Sequence, residues 1–316
     1  MKSLSHLCIL IFLFFCAKTQ AQDDDFNYEL TLGHDNDFTV FGTRTDWHYT
    51  YGIHLDFAWL PENKTFLSRL FTHKEGYMQR TGLHIQAYTP DYSIIRQLVN
   101  TRQPYAGWGY ADFETTYAFK HSFFKLKLDL GILGPAVQAG EIQNFIHQYV
   151  SYDILVNQWD DQIPNKLGVN LNASYASEIF NTKWMGIYGK ADASVGTIFT
   201  FVEPALHFRL GKFETISKTN SQRNTLLARG AKEFFVEGSL AAKYSVYNAT
   251  IEDADANGTI LVPDDLVNHL YLNASLGAFI SLKRYSLGLK WNYTDGEIKG
   301  NKPHRYIVLK GSYRFK

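Results

Sequence analysis

WHYTYGIHLDFAW, residues 47–59, decides how this chain is read. Trp47, Tyr49, Tyr51, Ile53, Leu55, Phe57 and Trp59 alternate with His48, Thr50, Gly52, His54, Asp56 and Ala58. Successive strand residues point to opposite faces, so this period of two sets an apolar, largely aromatic face against a small and polar one. The pattern recurs in both directions. Phe26, Tyr28, Leu30 and Leu32 face away from Asn27, Glu29 and Thr31. Leu126, Leu128, Leu130 and Ile132 alternate with Lys125, Lys127 and Asp129. Leu167, Val169, Leu171 and Tyr175 alternate with Lys166, Asn170, Asn172 and Ser174. Residues 233–246, 268–283, 285–294 and 304–316 repeat it; 79–90, 109–120, 184–195 and 200–212 do so less regularly.

About twelve strands result, many of them roughly ten residues or longer, enough to cross a bilayer at a tilt. Aromatic residues, 16% of the chain, cluster near strand ends as in membrane-interface girdles. A closed even-stranded barrel satisfies every backbone group in lipid and leaves no edge. The expected fold is therefore all-β, a transmembrane antiparallel β-barrel, with a short helical segment in an outward loop near 138–150. A large β-sandwich or lipocalin-like barrel is the soluble alternative, and it accounts less well for apolar faces on nearly every strand.

Residues 1–21 read as a secretory signal, with Lys2, an apolar stretch from Leu7 to Phe15, and small residues ending at Ala21. Residues 22–316 are then one barrel domain. Both cysteines, Cys8 and Cys16, fall in the leader, so the mature chain has neither disulfides nor thiolate metal ligands. The formal net charge is zero and no basic block occurs, which argues against nucleic acid as a partner.

With the N-terminus in the periplasm, gaps after odd-numbered strands open outward: 38–46, 91–108, 135–165, 196–199, 247–267 and 295–303. Even-numbered gaps include tight turns at 121–123, 179–183 and 283–284. Short inner turns and longer outer loops are the rule for such barrels. Two inner gaps, 60–78 and 213–231, exceed what that rule expects.

Three polar clusters fall at outward gaps. In GPAVQAGEIQNFIHQ, residues 134–148, Gln143 and His147 are four apart and share a face of any helix. Histidine can take a proton from water near neutral pH, although the chain has ten others and most barrel histidines are lumen or interface residues. Gln143 and Asn144 could donate to a developing oxyanion or simply bond loop backbone. In DNDF, residues 35–38, Asp35 and Asp37 take the polar face with hard oxygens suited to Ca²⁺, or form an ordinary turn. Strict alternation puts Thr50 on that same polar face, where a β-branched residue needs no special role. YTP (88–90) and PYAGW (104–108) carry no chemistry by composition. No G-x-S-x-G elbow occurs, so activated water is a better guess than a serine nucleophile.

The combination resembles the outer-membrane lipid A 3′-O-deacylase family. N-D-F is followed by T-D-x-x-Y-T-x-G (Thr45, Asp46, Tyr49, Thr50, Gly52), then Y-T-P, P-Y-A-G-W, G-P-A, Q-N-x-x-H and W-D-D-Q (159–162). The resemblance implies a twelve-stranded barrel and Ca²⁺-dependent hydrolysis of the 3′-linked acyl ester of lipid A in the outer leaflet. Its motif positions imply His147 as general base, with Gln143, Thr50 and Asn36 as catalytic polar groups. Asp37 becomes the calcium ligand, with a shift to Asp35 left open; Asn144 is assigned to the substrate. The family's site lysine falls near Ile95 here. Either the adjacent Arg96 replaces it in substrate binding or substrate binding differs. A monomer is expected. An outer-membrane phospholipase-like esterase and a non-enzymatic barrel are the competing readings.

Overall fold

A computed structural model describes residues 26–37, 48–62, 66–90, 103–151 and 155–316. The proposed leader and Arg96 lie outside the described residues. The twelve strands are β1 (Tyr28–Asn36), β2 (His48–Trp59), β3 (Gly76–Thr89), β4 (Ala106–Ala118), β5 (Ser122–Leu133) and β6 (Lys166–Asn181), then β7 (Met185–Gly196), β8 (Phe199–Lys212), β9 (Glu233–Asn248), β10 (Leu270–Ser281), β11 (Tyr285–Thr294) and β12 (His304–Phe315). Each pairs antiparallel with the next, and β1 pairs with β12 to close the barrel. Every segment read as a strand in the sequence is one.

The alternation sorts side chains as the pattern demands. Leu32, Ile53, Leu55, Leu83, Leu128 and Leu130 are exposed on the outer surface. Their neighbours Thr31, His54, Asp56, His84, Asp112, Glu114 and Asp129 are buried in the lumen. The rings of Tyr28, Phe57, Trp59 and Phe315 pack in series near the end where β1 begins and β12 finishes. The seam between first and last strands is held by a buried ion pair, Arg314 Nη1 to Glu29 Oε2 at 3.1 Å, with Ser286 and Ser281 also accepting from the guanidinium.

At the end where β1 begins, β4–β5, β6–β7 and β10–β11 are joined by tight turns closed by Phe119 N–H to Ser122 O, Thr182 N–H to Met185 O and Leu282 N–H to Tyr285 O. The two long inner gaps have a structural use. Residues 213–232 fold back into the lumen as a plug. Arg223 ion-pairs with Asp56 on β2 at 3.1 Å and Glu114 on β4 at 3.2 Å. Gln222 donates to Tyr188 Oη on β7, Ser221 to Glu237 on β9, and Asn220 to the carbonyls of Ile280 and Leu287. Residues near 60 and 67 pack beneath it: Leu60 lies with Phe26, Ala58, Met78 and Leu226, and Tyr117 donates to Leu67 O.

Candidate active site between the barrel wall and an outer helix

The third outward gap carries the helix α1, Ala139–Ile146, which continues as a wider turn of i→i+5 type over His147–Ser151. Such turns recur at functional sites. Ala139, Gly140, Gln143 and His147 form its buried stripe, while Phe145 and Tyr149 are exposed with their rings tilted against each other. The buried stripe faces the outside of the barrel wall. Tyr51 Oη donates to Ala139 O at 2.7 Å, and Tyr51, Ala87, Tyr105, Ala139, Val156 and Trp159 make one apolar cluster. Tyr51 and Ala87 belong to the outward-pointing series of β2 and β3 that includes the exposed Leu55 and Leu83.

PYAGW builds the seat for this helix, a use that composition did not reveal. Gly107 faces α1 so closely that a Cβ there would lie 2.8 Å from Ala139 Cβ. Trp108 turns the other way and packs inside with Leu133, Ile163 and Ile198. Tyr105 lies against the Trp159 ring and donates to Gln158 Oε1. Trp159, in the W-D-D-Q motif, packs on Gly140, where a Cβ would come within 2.6 Å of its ring. Its Nε1–H donates to Gln143 Oε1 at 2.9 Å. That bond fixes the amide's orientation: the oxygen takes the indole proton, so the –NH₂ points the other way. Asn144 has both ends of its amide on Val156: Nδ2 donates to Val156 O and Oδ1 accepts from Val156 N–H.

The wall end opposite Tyr51 carries the other expected residues. Asn36 pairs with Tyr51 across β1–β2, and Asp37 N–H donates to Thr50 O at 3.2 Å. One departure from strict alternation matters here. The β2–β3 register slips between Tyr49 and Tyr51, so Thr50 is the extra residue of a bulge. Bulges re-aim side chains near sites. Thr50 Oγ1 bonds Thr89 Oγ1 at 2.7 Å, and Thr89 continues the outward series of Leu83, Ile85 and Ala87. Thr50 therefore sits on the outer face near α1, not on the luminal face that simple alternation assigns. The bulge returns Tyr49 to the lumen, where its hydroxyl donates to Asp35 Oδ2. Asp35 is also bonded by His54 Nε2 at 3.1 Å. Asp35 thus belongs to a luminal network, while Asn36, Asp37 and Thr50 gather at the rim where β1 ends. The Asp37 carboxylate is buried there.

A second acidic group lies deeper. Asp56, His84 and Asp112 are buried luminal residues whose ligand atoms all lie within 4.8 Å of one another, a set that could hold a metal ion.

The family model described as outer membrane protein LpxR matches residues 7–315. The chain belongs to the LpxR family of outer membrane proteins. Among solved structures, LpxR from Salmonella typhimurium superposes with a TM-score of 0.73 at 18% identity, covering 91% of this chain and 100% of that one. The β domain of the Bordetella autotransporter BrkA gives 0.46 at 9% identity, covering 91% and 98%. The NalP translocator domain from Neisseria meningitidis gives 0.42 at 8%, covering 92% and 89%. No curated protein matches the sequence. Family membership places the barrel in the outer membrane, and the Salmonella LpxR match extends through the whole barrel.

Proposed function

We propose that the chain is a calcium-dependent lipid A 3′-O-deacylase whose active site lies between α1 and the outer wall of β1–β3. The observation that carries this reading is the placement of α1. A helix with Gln143 and His147 on its buried stripe is docked on the membrane-facing side of the wall, at the end where Asn36, Asp37 and Thr50 stand. A lipid in the outer leaflet reaches such a site sideways, with no passage through the plugged lumen. Lipid A is the substrate expected from the LpxR family and from the motif series that ends in Q-N-x-x-H.

In this reading His147 takes a proton from water as the water oxygen bonds to the acyl carbonyl carbon. The Gln143 –NH₂, oriented by Trp159, donates to the oxygen that gains charge. The bond to the 3′ oxygen then breaks, and that oxygen takes the proton back from the His147 imidazolium, releasing the free acid. Thr50, held by Thr89, lines the wall side. Asn36 and Asp37 offer an amide oxygen and a buried carboxylate, the hard oxygen donors Ca²⁺ prefers, and an ion there would supply positive charge beside the carbonyl. Asn144 holds residues 155–162 against α1, and Arg96 is assigned to the substrate headgroup. We assign a monomer, since one chain carries all of these groups.

Purified protein offered lipid A and, separately, phosphatidylethanolamine tests the assignment by mass spectrometry. Release of the 3′-linked acyl group from lipid A, lost with EGTA and with His147→Ala, is expected. Preferential hydrolysis of the phospholipid would replace the assignment with a phospholipase; no hydrolysis of either by folded protein would remove the enzyme reading.

A further inference from the structure

The Asp56–His84–Asp112 group is built on one rung of the barrel. Asp56 pairs with Gly82 across β2–β3, and Gly82 pairs with Asp112 across β3–β4. Adjacent strands lie about 4.8 Å apart, so the two acids flank a place on the luminal face where β3 has no side chain. His84, two residues along the same face, lays its ring into that place. A Cβ at residue 82 would collide with His84 Nε2 and crowd Asp56 Oδ1. Nε2 stands 3.2 Å from Asp112 Oδ2 and 3.9 Å from Asp56 Oδ1. All three side chains are more than nine-tenths buried.

Proton placement makes the group unusual. A carboxylate only accepts, so the 3.1 Å contact from His54 Nε2 to Asp35 Oδ2 requires hydrogen on that nitrogen. Neutral His54 then has a bare Nδ1, which lies 2.9 Å from His84 Nδ1. His84 Nδ1 must carry the hydrogen. His84 Nε2 is then the ring nitrogen that faces the two carboxylates. His84 Nε2, Asp56 Oδ2 and Asp112 Oδ1 all lack a hydrogen-bond partner. A cation among the three side chains would satisfy buried acceptors that have no other partner. A proton is one candidate. A metal ion is the other, and it can take one ligand atom from each of the three residues, since these atoms lie within 4.8 Å of one another.

We propose that Asp56, His84 and Asp112 form a luminal site for a divalent transition metal of the zinc class, separate from the outer-rim calcium position. One imidazole and two carboxylates suit a borderline ion with an open coordination position; Ca²⁺ takes six to eight oxygens. The chain His84 Nδ1–H to His54 and His54 Nε2–H to Asp35 orients the ligand ring, as outer partners of metal-bound histidines do. A cavity of about 420 Å³ lined by His84, Asp112 and Arg223 gives the ion room to enter. Through Asp56, which also holds Arg223, the ion ties three strands to the plug. None of this depends on the deacylase reading.

The test uses the full barrel refolded in detergent, stripped with EDTA, loaded with Co²⁺ or Zn²⁺ alone and passed through gel filtration. Metal per chain is measured by mass spectrometry, and the Co²⁺ ligand field by visible absorption. Wild type is expected to keep one ion, and Asp37→Asn to keep it as well. Asp112→Asn, His84→Gln and Gly82→Ala are each expected to weaken retention at least 100-fold, with folding checked by heat-modifiable migration on gels. Wild type that keeps no ion overturns the proposal in favour of a proton. An ion lost in Asp37→Asn but kept in the isosteric Asp112→Asn overturns it in favour of the rim.

Discussion

Gly107→Ala should disable the enzyme while leaving the barrel intact. Its Cβ would lie 2.8 Å from Ala139 Cβ, whereas carbon atoms rest about 3.5–4.0 Å apart. The first turn of α1 must lift by about 1 Å, carrying Gln143 and His147 with it. A displacement of that size costs on the order of 100-fold in rate when a catalytic group is misplaced. Gly107 is a strand residue, and replacing a strand glycine with alanine otherwise stabilises by roughly 0.5–1 kcal/mol. Acyl release from lipid A, followed by mass spectrometry, should fall about 100-fold, while heat-modifiable migration should match wild type. Adding Ala139→Gly removes the opposing methyl and should restore most of the rate, less about 1 kcal/mol of helix propensity. Wild-type activity in Gly107→Ala, or no rescue by the second substitution, would refute a site that depends on the helix-to-wall spacing.

Other outcomes follow from the same contacts. Tyr51→Phe removes the bond to Ala139 O, worth about 1 kcal/mol, and should lower kcat roughly fivefold without altering barrel folding. Trp159→Phe keeps the ring on Gly140 but drops the donor to Gln143; kcat should fall about tenfold with KM little changed. Removing divalent ions with EGTA, or making Asp37→Asn, should abolish acyl release, and excess Ca²⁺ should rescue only the chelated wild type. Arg314→Met strands the buried Glu29 carboxylate at the β1–β12 seam and should destabilise the barrel by about 3–5 kcal/mol, read as a lower temperature for loss of the heat-resistant band.

Much of the fold was legible because lipid enforces a strict rule. Lipid-facing residues are mostly apolar and luminal ones polar or small, so most strands announced themselves by their period, and 79–90, 109–120, 184–195 and 200–212 did so less regularly. The plug was not legible. Residues 213–232 lack that period, and their partners Asp56, Glu114 and Tyr188 are distant in sequence, joined only when the barrel closes. Asp35 and Asp37 looked equivalent in the sequence. The structure separates them, because Asp35 is the last luminal residue of β1 and Asp37 lies in the bend beyond its end. Thr50 was misplaced by alternation because a one-residue bulge leaves no mark in composition. The helix seat was also hidden: Gly107 and Gly140 matter for what approaches them, which a glycine does not reveal. Asp56, His84 and Asp112 each read as ordinary polar strand positions; only the pairing through Gly82 brings them together.

The most direct measurement of the central claim is the mass of lipid A extracted from an outer-membrane host that has no such enzyme, after expression of this chain or its His147→Ala form. Wild type should shift lipid A down by the mass of the 3′-linked acyl group, and His147→Ala, equally folded in the membrane, should leave it whole. Unchanged lipid A with folded wild type, or the same shift with His147→Ala, would contradict it.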